Sequence, residues 1–97
     1  MTEPHVTIER EVWTTPAEFR RALAMAFPGR VADRAGRLCV EDGQAAMEVS
    51  LQPLPPHDIA LLRMPRLKVS LRGTAGTPDQ FKAMVARMDR AMQRGGG

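Results

Sequence analysis

Apolar residues recur at every second position in four stretches of this chain and at helical spacing in two others. Val6, Ile8 and Val12 alternate with Thr7, Glu9 and Glu11, the pattern of a strand with one buried face. Arg10 interrupts the apolar parity, which points to a strand at the edge of its sheet. Leu38 and Val40 mark a second strand over residues 37–41, and Met47, Val49 and Leu51 a third over 45–51. Asp42-Gly43 between them is a hairpin signal. Leu67, Val69 and Leu71 alternate with Lys68, Ser70 and Arg72, giving a further strand.

The helical periods follow two matching start signals. Thr15-Pro16-Ala17-Glu18 and Thr77-Pro78-Asp79-Gln80 each place a capping threonine before a proline at the first helical position, where a missing amide costs nothing. Glu18 and Gln80 complete capping boxes. Phe19, Ala22, Leu23, Ala26 and Phe27 share one face of the first helix; Phe81, Met84, Val85, Met88 and Met92 share one face of the second.

Three segments fit neither period cleanly. Residues 30–36 read as a polar connection. Residues 52–57, with Pro53, Pro55 and Pro56, read as a stiff surface loop. Ile59 to Leu62 are consecutive apolar residues. They suit either a strand buried on both faces or a short helical turn, with Met64-Pro65 breaking the pattern after them. The predicted order is β-α-β-β-(β)-β-α. This is an α+β fold, a two-layer sandwich whose mostly antiparallel sheet carries both helices on one face. One domain over 1–97 is expected, with flexible tails at 1–4 and 94–97.

Composition narrows the classes. At 43% hydrophobic and 26% charged, the chain is too apolar for disorder. A lone cysteine, Cys39, excludes an internal disulfide. No signal-like segment or membrane-length apolar run is visible, so a cytoplasmic protein with no membrane partner is expected. Charge is uneven. Residues 1–59 carry six arginines against nine acidic groups, whereas residues 60–97 carry eight basic groups against two.

Chemistry-bearing constellations are sparse. No cofactor motif, phosphate loop or metal-ligand spacing is present, and no catalytic residue can be assigned. A non-enzymatic domain acting through protein association, with itself or a partner, is the leading expectation. Trp13 has the polar-face parity of its strand and is a potential interface anchor. Leu54, Pro55 and Pro56 belong to a minimal PxxP segment suited to an aromatic groove. An alternative is binding of nucleic acid or another anion through Lys68 and Arg72 together with Arg87, Arg90 and Arg94, the last three forming a ridge on the second helix. A second alternative is a small-ligand site near His57 and Asp58, drawing on Cys39, which requires a pocket that gathers them.

Overall fold

A computed structural model describes residues 6–95, with side chains through Met92. Seven elements follow in order: β1 (Thr7–Val12), α1 (Pro16–Ala26), β2 (Val31–Arg34), β3 (Arg37–Asp42), β4 (Ala45–Ile59), β5 (Leu62–Ala75) and α2 (Pro78–Gly95). The strands form one antiparallel sheet in the order β1-β5-β4-β3-β2. The predicted α+β architecture is therefore present. The expected tails fall outside the described residues, apart from helical positions 94 and 95.

Alternation decides which face of the sheet is covered. Leu38, Val40, Met47, Val49, Leu67, Val69 and Leu71 all project to one side and are buried. They meet Phe19, Leu23, Ala26 and Phe27 from the α1 segment and Phe81, Met84, Val85 and Met88 from α2 in a single core. Each such side chain contributes about 1.5–3 kcal/mol on burial. The methionines of α2 are thus core residues for the most part. Among the described residues no polar or charged side chain is buried.

Both helix starts follow the local chemistry of their caps. The amide of Glu18 donates to Thr15 Oγ1 at 3.2 Å, and that of Gln80 to Thr77 Oγ1 at 3.1 Å. At Thr77 the box is reciprocal, because its amide donates to Gln80 Oε1 at 2.8 Å. At Thr15 the hydroxyl donates to the Glu18 carboxylate instead, at 3.1 Å.

β1 is an edge strand, as its broken parity implied, and Arg10 turns out to be inward-facing. It reaches Asp89 on α2, with 2.6 Å between Nη1 and Oδ1. A cation on the inner face is tolerated there because the edge leaves it partly solvated and α2 supplies a counter-charge.

Three sequence expectations need correction. The polar connection contains β2, which pairs with β3 from Val31↔Val40 to Arg34↔Arg37 through a tight turn at Ala35-Gly36. As a short edge strand it buries little, so it lacks the alternation that would reveal it. The proline-rich segment is not a loop but the outer half of β4. Its prolines are accommodated because β4 outruns β3, whose last partner is Val49, and leaves one side without a strand. Ile59 to Leu62 is neither a buried strand nor a helical turn. Ile59 pairs with Leu62 across an Ala60-Leu61 turn, with Ala60 at φ 54°, and the segment is exposed.

Candidate interaction site

The site is built by the unequal lengths of the strands. β1 stops pairing at Val12↔Leu67 and β3 at Leu38↔Val49, yet β4 and β5 continue to Ile59↔Leu62. Residues 53–66 therefore leave the sheet as a two-stranded arm. Its seven β4 residues span about 23 Å at the usual strand rise, in keeping with principal extents of 51 × 26 × 24 Å.

Register assigns the arm's two faces. Residues opposite one another in an antiparallel pair share a face. Leu54↔Arg66, His57↔Met64 and Ile59↔Leu62 continue the outer, helix-free face that carries Lys68 on β5. Asp58↔Arg63 lies on the other face, where those two side chains pair at 3.6 Å. Pro55 and Pro56 fall in the register shift between Leu54 and His57.

An apolar stripe results. Ile59 and Leu62 are exposed near the tip, the latter at 65%, and Leu61 at the turn is fully exposed. Met64 and Leu54 follow toward the base, both half-buried. Trp13, 49% exposed, closes the stripe by packing against His57 with ring centroids 5.4 Å apart. Exposed large aliphatic side chains grouped on a projection are unusual on a domain of this size, where they mark contact surfaces.

Beyond Trp13 the outer face becomes a lattice of opposite charges. Arg66 grips Glu11 with two parallel bonds, Nε to Oε2 at 3.0 Å and Nη2 to Oε1 at 2.9 Å, and its Nη1 also donates to the Pro55 carbonyl at 3.3 Å. That grip holds the Glu11 carboxyl below its ordinary range and raises Arg66 above its own. Lys68 lies 3.7 Å from Glu9, and Arg72 2.9 Å from Glu48, which Arg37 also approaches at 3.6 Å.

The sequence-derived candidates are only partly brought together. Trp13 and Leu54 share the outer stripe with the arm, and Pro55 and Pro56 lie beside it. Lys68 and Arg72 occupy the outer face of the sheet, each beside a carboxylate. Arg87 and Arg90 lie on α2, in the opposite layer. Arg87 approaches Asp42 at 3.3 Å and stacks over the Phe27 ring at 4.9 Å; Arg90 is exposed. The side chain of Arg94 lies outside the described residues.

Cys39 on β3 is opposite Glu48 of β4, which lies nine strand positions from His57, or about 30 Å at strand rise. It does not join His57 and Asp58 in one site. A groove of about 590 Å³ opens near the arm's base. Val12, Trp13, Phe19, Ala22, Met25 and Met92 line it together with Glu18 and Arg21, but His57 and Asp58 do not. Among the described residues no cluster of potential ligands could hold a metal, and no helix is long and apolar enough to cross a membrane.

Sequence reading missed the tip residues Ile59, Leu61 and Leu62. The available signal was a run of apolar residues bounded by Asp58 and Arg63 and preceded by prolines, which suits a hairpin end as well as a core strand. The chain matches no known protein-family model and no curated protein.

Proposed function

We propose that this chain is a small cytoplasmic, non-enzymatic association domain and that the β4–β5 arm is its contact element. The observation that carries this reading is the exposed aliphatic tip, Ile59, Leu61 and Leu62, held away from the core by a ribbon whose base is braced by Trp13 and the Glu11–Arg66 pair. A two-stranded ribbon is marginal alone in water. Here its strands continue into the sheet, so the tip is presented at a fixed position rather than on a free loop. Little ordering entropy then opposes binding.

The cations of the outer face sit beside carboxylates of the same face, so the charge excess of the second half of the chain is not concentrated there. This favours association through apolar contact over anion binding at Lys68 and Arg72.

The test is the size of the protein in a lysate of its own cells. Size-exclusion chromatography of a concentrated lysate, with the tagged chain overexpressed to well above the micromolar range, should place the wild type above its monomer mass. A triple variant, Ile59→Ser, Leu61→Ser and Leu62→Ser, should elute as a monomer. Wild type and variant eluting together would refute the reading.

A further inference from the structure

Resting on the association reading, we propose that the arm's partner is a second copy of this chain, the two arms packing face to face and antiparallel about a two-fold axis. In this arrangement Ile59 and Leu62 of one copy lie over Leu54 and Trp13 of the other. His57 and Met64, midway along the stripe, sit beside their own counterparts at the axis.

Charge is the first reason. Glu9, Glu11 and Glu48 face Lys68, Arg66 and Arg72 within one copy, at 3.7, 2.9 and 2.9 Å. A face neutralised internally can meet its own image without like-charge repulsion, as an isologous contact requires. The same neutrality offers little field to attract an oppositely charged partner.

Backbone chemistry is the second. An exposed ribbon usually associates by adding strands to its edge. Pro53, Pro55 and Pro56 on β4 and Pro65 on β5 remove amides from both edges of the arm. Pairing through the faces remains, and the outer face is the apolar one. Asp58 and Arg63, on the other face, are paired with each other.

The third reason fixes the register. The apolar stripe ends at Trp13 and Leu54, where the internally paired Arg66 and Glu11 begin the charged part of the face and Lys68 continues it. Sliding the arms further together would press Ile59 and Leu62 onto Glu9, Lys68 and Glu48. Meeting tip to tip would leave Trp13 and Leu54 uncovered. Only an overlap as long as the arm covers the apolar part of both copies. That overlap is about 23 Å by two strands, small beside the roughly 800 Å² per partner of a standard interface. The dimer is therefore expected to form reversibly, in the micromolar range rather than below it.

Sedimentation of the purified full chain from about 1 μM to about 1 mM should pass from monomer to twice the monomer mass. Leu62→Asp, at an exposed position, should weaken association roughly tenfold or more. Ala83→Asp, on the exposed side of α2, should leave it unchanged; circular dichroism checks that both variants fold. Disulfide trapping reads the register. In a Cys39→Ser background, Met64→Cys should give a linked dimer under mild oxidation. Leu61→Cys should not, because opposed tips lie far beyond the Cα separation of about 7 Å that a disulfide spans.

Linking at Leu61→Cys without linking at Met64→Cys overturns the antiparallel register. A monomer at every concentration overturns self-association. If the lysate form then still elutes large and the triple serine variant reduces it to a monomer, a different protein occupies the arm and the association reading stands. If the lysate form is a monomer as well, both readings fail.

Discussion

Three glycines around the second helix and the β3–β4 hairpin separate backbone strain from steric conflict. Gly43 and Gly76 both have left-handed backbones, at φ +66° and +94°. A Cβ at Gly43 meets nothing within 4 Å, whereas one at Gly76 would sit 2.6 Å from Gln80 Oε1 and 3.0 Å from Ala45 Cα. Gly43→Ala should therefore show strain alone, about 1–2 kcal/mol. Gly76→Ala adds two losses. Gln80 must swing away from the Thr77 amide it caps, costing about 1 kcal/mol. Ala45, held in β4 against Met47 and the core, must shift at about 1–3 kcal/mol.

The expected total at Gly76 is about 3–6 kcal/mol, a large part of the roughly 5–15 kcal/mol that stabilises a domain of this size. Gly73→Ala isolates the remaining case. Its φ is ordinary, and the new Cβ would lie 3.2 Å from Phe81 Cγ, so about 1–2 kcal/mol is expected from displacing a packed ring. Urea unfolding followed by circular dichroism measures all three. With an m-value of about 1–2 kcal/mol/M, the midpoint of Gly76→Ala should fall at least about 1 M below that of Gly43→Ala. Equal midpoints for Gly43→Ala and Gly76→Ala would refute the packing of the β5–α2 junction described above.

Other consequences are smaller. Thr15→Ala and Thr77→Ala should each cost about 1 kcal/mol in the same urea assay, and Gln80→Ala should be felt only at the second helix, where its side chain caps the Thr77 amide. Glu11 titrates lower in the folded chain than in the unfolded one, so its contribution is complete above the ordinary carboxylate range and is lost as pH falls through its depressed folded value. Stability measured by urea from neutral to acid pH should consequently fall less steeply in Glu11→Gln than in the wild type; identical slopes would remove the Glu11–Arg66 grip from the account.

What the sequence revealed was local. The two threonine–proline starts, the alternating strands and the aromatic helix faces depend on neighbours a few positions apart, and each appears where the pattern put it. The inward position of Arg10 depends on Asp89, 79 residues away, and no local period carries that. β2 escaped because an edge strand with only Val31 directed at the core leaves almost no hydrophobic alternation. The arm escaped for a different reason. A run such as Ile59 to Leu62 has the same composition whether it is covered or bare, and its exposure follows from β4 and β5 outrunning their neighbours, a property of the whole sheet. Trp13 was legible as an anchor by parity, but its packing on His57 required the register of the arm.

Site-specific photo-crosslinking in living cells tests the central claim most directly. A photoactivatable residue in place of Leu61, the fully exposed residue at the tip, is compared with one in place of Ala83 on the exposed side of α2. Illumination should convert the Leu61 form into a discrete protein adduct and leave the Ala83 form uncrosslinked. The same faint, heterogeneous background from both positions would contradict association through the arm.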